Sequence, residues 1–240
     1  MKRFRRHPWH FWADETGLTS LLIFSLGYFI VLNSLSEFWF GRLVAHIFFS
    51  LIIVAGVLTT FKKRWLSFFV IALAVAGLAL NWAEEFRPVE GLTVLTTGLS
   101  LIYLGILLAM VIAQVFQDGP VTAHRIRGAI VIYLLLGVMW AFTYQVAALT
   151  IPQAFRLPEG LTANDPEALR RELTYFSVVT LTTTGYGDIT AVHPVARTLV
   201  MLEALVGQLY PAIVLAWLVS LAIMHQKEKP SNFQNQNRRE

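Results

Sequence analysis

Six apolar stretches divide this chain of 240 residues: 17–35, 43–60, 65–83, 92–116, 128–149 and 195–224. Each is long enough to cross the roughly 30 Å hydrocarbon core of a bilayer, which takes about 20 helical residues. Hydrocarbon offers no hydrogen-bond partner to a bare peptide group, so spans of this kind are confined to helices. Composition agrees. Charged residues are 14% of the chain and hydrophobic ones 56%, whereas a soluble domain carries about a quarter charged residues. The expected fold is an all-α membrane protein with six transmembrane helices. No stretch has the flanks and small-residue cleavage site of a removable signal peptide, so the first is read as a true span. Cysteine is absent, which excludes disulfides and leaves the redox compartment unread.

Basic residues set the orientation. With the N-terminus inside, the inner segments hold Lys2, Arg3, Arg5, Arg6, Lys62, Lys63, Arg64, Arg125, Arg127, Lys227, Lys229, Arg238 and Arg239, which are 13 of the 19 Lys and Arg. The outer segments hold Glu37, Glu84, Glu85, Glu90, Glu159, Asp165, Glu167, Glu172 and Asp188, which are 9 of the 15 acids. Both termini are therefore expected in the cytoplasm of a multi-pass protein of the cell (plasma) membrane. The net charge of +4 reflects lipid headgroup anchoring at the inner edge rather than nucleic-acid binding. Trp9, Phe11 and Trp12 beside Arg5 and Arg6 mark an interfacial N-terminal segment.

Between the last two spans lies Thr182-Thr183-Thr184-Gly185-Tyr186-Gly187-Asp188. A row of backbone carbonyls facing one axis can replace the hydration shell of an ion. Such a row needs successive residues of opposite backbone hand, and Gly185 and Gly187 supply positive φ at little cost. Thr183 adds a hydroxyl oxygen, Thr184 packs, and Tyr186 braces the strand from behind. Before it, Asn164-Asp165-Pro166-Glu167 is a helix-start signal, an acidic N-cap followed by proline at the first helical position. A helical stretch through Arg171 and then a re-entrant helix over about 172–182 are expected. The re-entrant helix must be buried by protein.

Residues 128–225 resemble tetrameric potassium channels of the pore-loop superfamily, on the signature Thr-x-Gly-Tyr-Gly-Asp at Thr183–Asp188 and a glycine, Gly207, 207 − 188 = 19 residues further on. The whole chain is similar to short prokaryotic six-helix members. The resemblance implies a homotetramer in membrane lipid, with the re-entrant pore helix and filter between helices five and six. It implies potassium ions held at Thr183, Thr184, Gly185 and Tyr186, with Gly187 completing the filter, and no organic cofactor. Two departures stand out. Thr184 lies where valine is commonest, with the carbonyl unchanged. Val179 lies where some relatives place a glutamate that clamps the filter aspartate, so Asp188 needs another partner; Tyr175, where relatives often have tryptophan, is the candidate. In the same terms Gly207 and Pro211 form a gating hinge and bend, since proline removes a helical hydrogen bond, although glycine also serves close helix packing in membranes.

Glu203, an ionisable group within a span, is a functional candidate. It is expected to face the pore helix in a buried hydrogen bond, with Thr180, Thr182 or Gln145 as partner. Leu215, Ala216, Val219 and Ile223 are candidates for an apolar inner constriction. Span four carries no Lys or Arg, so opening nearly independent of voltage is expected.

The resulting organisation is an N-terminal segment 1–16, a four-helix peripheral domain 17–116, a linker 117–127, a pore domain 128–225 and a tail 226–240. The tail is too short for a cytoplasmic ligand domain. His124 and His225 lie near the inner face; these and His7, His10, His46 and His193 show no metal-ligand spacing. The leading reading is passive conduction of potassium. The alternatives are a nonselective monovalent cation channel, which would usually alter Tyr186-Gly187, and a potassium transporter subunit, which would spread four degenerate filters along one chain. No nucleophile–base pair or phosphate loop supports an enzyme.

Overall fold

A computed structural model describes residues 8–35, 38–59, 64–86, 91–116, 122–158, 161 and 165–227. Its helices are α1 (Pro8–Leu35), α2 (Trp39–Thr59), α3 (Arg64–Phe86), α4 (Leu92–Val115), α5 (Ala123–Thr150), α6 (Pro166–Leu181) and α7 (Pro194–Lys227). Five of them, α1, α2, α4, α5 and α7, hold stretches long and apolar enough to cross a membrane. The third expected span lies on α3, whose apolar part is the shorter Val70–Ala83.

The boundaries differ from the expectation in three places. Helix α1 starts at Pro8 and runs unbroken into the first span, so residues 8–16 are its first turns. Helix α5 starts at Ala123, which places Arg125 and Arg127 in its first two turns rather than in a linker. The helix that starts after Asp165 does not stop at Arg171. It continues to Leu181 as one element, because Asp165 Oδ1 caps the Ala168 amide at 3.1 Å, Pro166 fits the first turn and no breaker follows. The expected tail, apart from Gln226 and Lys227, and most of the expected linker lie outside the described residues.

The core is one apolar body shared by α1, α2, α4 and α5. Tyr28, Phe49 and Phe142 pack in series, with Phe49 and Phe142 stacked at 5.2 Å. The Tyr103 hydroxyl of α4 donates to the Ile53 carbonyl of α2 at 2.6 Å, so this buried phenol is satisfied. A second cluster gathers Tyr144, Phe155, Leu169, Phe176 and Ile189 where α5 meets α6. It is closed by a short antiparallel pair unforeseen in an all-α reading: Phe155–Arg156 (β1) against Thr190–Ala191 (β2). This pair ties the segment after α5 to the segment after the glycine motif. It therefore fixes both ends of the loop that α6 enters.

Candidate functional site

Positive φ falls at alternate residues of the motif: Thr183 at 58°, Gly185 at 59° and Gly187 at 81°. Glycine accepts this conformation readily. Thr183 does not, and β-branched residues at positive φ are rare. The strain at Thr183 is offset locally by a fan of bonds from the end of α6. The Val179 carbonyl accepts from Thr184 N at 2.9 Å and Gly185 N at 3.3 Å, and the Thr180 carbonyl accepts from Thr183 N at 2.9 Å. Thr182 Oγ1 donates to the Val178 carbonyl at 2.7 Å and lies 2.9 Å from Thr184 Oγ1. Residues 182–188 are all exposed on the single chain, Tyr186 to 71%. The filter is thus built on the outside of the subunit, hung from the C-terminus of α6.

Val179 is buried, and its apolar side chain gives Asp188 no hydrogen bond. Asp188 is held instead by the Tyr175 hydroxyl, which donates to Oδ2 at 2.7 Å, and by its neighbour's amide, Ile189 N, which donates to Oδ1 at 3.1 Å. The bond to the carboxylate, with Asp188's charge nearby, pushes the Tyr175 phenol up to about 12.

Glu203 is fully buried and faces α6, but through residues other than those expected. Tyr144 of α5 hydrogen-bonds Glu203 Oε2, and Ser177 of α6 lies 2.6 Å from Oε1. Ser177 also lies 2.8 Å from the Gly137 carbonyl of α5. The expected partners are engaged elsewhere. Thr182 bonds its own helix, and Gln145 donates to the Pro166 carbonyl at 3.2 Å and accepts from Arg170 Nε at 3.4 Å. Ser177 sits one turn before Leu181 on the face turned to α7, whereas Thr182 lies past the helix end and is exposed.

Gly207 is buried against the end of α6. A Cβ there would land on the Leu181 carbonyl, backbone that cannot move aside. That same carbonyl accepts from the Tyr133 hydroxyl at 3.0 Å. Tyr133 stacks on Tyr210, whose hydroxyl donates to the Ala129 carbonyl at 2.8 Å. Helix α7 is assigned as continuous through Gly207 and Pro211. The close approach therefore accounts for the glycine without a break in the helix. Leu215, Ala216, Val219 and Ile223 are exposed on the single chain.

Tyr133, Tyr144, Ser177 and Tyr210 were missed at the sequence level. One signal was available: Tyr133 and Tyr144 are eleven residues apart on α5, about three helical turns and so on one face.

Residues 171–223 match a family model described as "Ion channel". No curated protein and no solved structure matches the chain. The matched region holds most of α6, the whole glycine motif and nearly all of α7. With the long apolar helices, it indicates a membrane ion channel of the pore-loop type.

Proposed function

We infer that this chain is one subunit of a homotetrameric, potassium-selective channel that conducts passively across the plasma membrane. The observation that carries the reading is the alternation of positive φ at Thr183, Gly185 and Gly187 on a filter exposed along its whole length. Alternating hand is what turns successive carbonyls toward one axis. Four such strands around that axis would present rings of oxygens from Thr183, Thr184, Gly185 and Tyr186, close enough to replace the water shell of a potassium ion. The outward-lying filter and the exposed apolar surface of α7 have no partner within the chain, which supports fourfold assembly. The C-terminus of α6 would then point its partial negative charge at the central path and favour a cation there.

In this reading six helices cross the membrane, α3 included, both termini are cytoplasmic, and residues 128–225 form the pore beside a peripheral domain, 17–116. Gly207 and Pro211 are the candidate hinge, and Leu215, Ala216, Val219 and Ile223 the candidate inner constriction. Helix α4 carries no Lys or Arg, so conductance should change little with voltage.

The reading is tested by the reversal potential of the purified chain in planar bilayers, with potassium on one side and sodium on the other. A value close to the potassium equilibrium potential is expected. A value near zero with clear current would replace the reading by a nonselective cation channel.

A further inference from the structure

At the opposite end of α6 from the filter, a polar cluster lies buried between the peripheral helices and the pore helix. His46 of α2 is its centre and is almost fully buried. Its Nε2 lies 3.2 Å from Glu167 Oε1, in the first turn of α6, and its Nδ1 lies 2.7 Å from Asn81 Oδ1 of α3. Arg170 Nη1 reaches the same Glu167 oxygen at 3.2 Å and stands over the Phe142 ring of α5. Gln145 of α5 holds both Arg170 and the Pro166 carbonyl. Four helices thus meet at the base of the element that carries the filter.

The charges facing this histidine come from every element packed on it. Helix α6 supplies Glu167 and Arg170. Helix α2 supplies Arg42, close enough to act on Glu167. Helix α1 brings Tyr28, within reach of Arg170 and Glu167. Helix α3 brings Asn81 and the Trp82 ring, 6.2 Å away, and neither is charged. Burial would raise the Glu167 carboxyl, but Arg170, the His46 hydrogen bond and Arg42 outweigh it and hold it down at about 2. Arginine keeps its charge at any ordinary pH. Histidine is therefore the one side-chain type in the cluster that changes charge between about pH 5 and 8.

Proton counting gives the direction. Both ring nitrogens of His46 face oxygen acceptors, and a neutral imidazole has a single N–H. Only the imidazolium donates to Asn81 and Glu167 together. Without the extra proton, one nitrogen meets an acceptor with no hydrogen between them. Turning the Asn81 amide over would restore that contact, yet the bond to Glu167 would still fall from an ion pair to a neutral-donor bond, about half as strong.

We propose that His46 is a proton-operated tie between the peripheral helices α2 and α3 and the pore helix α6, fastened when protonated and loosened when neutral. The cluster lies at the same end of the molecule as the turn after α5 and the filter mouth, so the proton comes from the side the filter opens to. Effects on ion flow rest on the channel reading; the tie does not.

Amide hydrogen exchange tests the tie without measuring current. The full chain in detergent is followed through peptides covering 165–175 from about pH 6 to about pH 8, normalised to the intrinsic rate. Wild-type exchange there is expected to rise several-fold across this range. His46→Gln, which keeps a polar side chain and cannot gain charge, should show a flat profile. Asn81→Asp should hold the imidazolium more firmly and move the rise to higher pH, a shift that general loosening would not produce. A flat wild-type profile, a His46→Gln profile that tracks wild type, or an unmoved Asn81→Asp profile would each overturn the proposal. If His46→Gln does not fold, the wild-type and Asn81→Asp profiles decide it. A chain that proved nonselective would leave the exchange result standing.

Discussion

The two halves of α7 have opposite relations to the rest of the subunit. Up to Tyr210 the helix is fastened by polar and close-packed contacts: Glu203 to Tyr144 and Ser177, Gly207 to the Leu181 backbone, and Tyr210 to Ala129. Beyond Pro211 the contacts thin out. Val214 is buried, and Trp217 packs on Phe116 with Arg125 standing 5.5 Å over its ring. Leu215 is 65% exposed and Val219 50%. The first half is part of the scaffold that holds the filter. The second half touches its own subunit mainly through one aromatic side chain. A helix built this way keeps one end fixed while the other is free to change partners, so substitutions in the two halves should be felt in different measurements.

The sharpest test is Gly207→Val. The new side chain must enter space held by the Leu181 carbonyl, and overpacking against backbone is expected to cost about 3 kcal/mol. Thermal unfolding in detergent should fall markedly, with loss of current. Gly105→Ala on α4 is the control, since nothing lies within 4 Å of its Cβ position; it should stay within about 0.5 kcal/mol. An unchanged Gly207→Val would mean that α7 and α6 are not in close contact, and the comparison would collapse.

Glu203→Ala comes next. It leaves the Tyr144 and Ser177 hydroxyls facing an empty space, at a cost of about 2 kcal/mol or more. Glu203→Gln keeps the shape and an acceptor and should lose about half of that. Unfolding curves of the two variants separate a hydrogen-bonding role from a packing one. Equal losses would show that the carboxyl oxygens contribute little.

These two positions also show what a sequence can carry. The cap at Asp165-Pro166 and the glycine alternation at 185 and 187 are local, set by residues adjacent in the chain, and they were legible. So was the pairing of Tyr175 with Asp188, through matched position in a resemblance. The partners of Glu203 were not, because they come from α5 and α6, and periodicity does not say which hydroxyl of several lies at the right height. Thr183 at positive φ was hidden because a β-branched residue is a poor advertisement for that conformation. The β1–β2 pair is two residues long and leaves no alternating pattern to read. Gly207 was legible as special, but hinge and close packing make the same demand on sequence.

Tyr175→Phe probes the filter on the side away from α7. The hydroxyl is partly exposed, so stability should move by less than about 1 kcal/mol. Inactivation should quicken, because Asp188 retains only the Ile189 amide. The pH dependence has a definite sign. The folded phenol is pushed up to about 12, above its value in an unfolded chain. Its contribution is therefore full below about pH 10 and is lost as pH rises through about 12. Wild type should show this alkaline loss in an unfolding series and Tyr175→Phe should not. A phenylalanine variant with unchanged inactivation would remove Tyr175 from the filter's support.

Val219→Thr is expected to have the smallest effect on folding and is the most direct test of the second half of α7. The substitution preserves shape and adds a hydroxyl on a surface with no partner in its own subunit. Surface changes of this kind stay within about 0.5 kcal/mol, so the unfolding midpoint should not move. Conduction is a different matter. An apolar ring closes a path by expelling water, and four hydroxyls at that level would favour wetting. Open probability should rise in bilayer recordings while selectivity, set at Thr183–Gly187, stays as it was. A variant that loses stability instead would show that Val219 packs against a neighbouring helix, and that the exposed half of α7 is an assembly surface rather than the wall of the path.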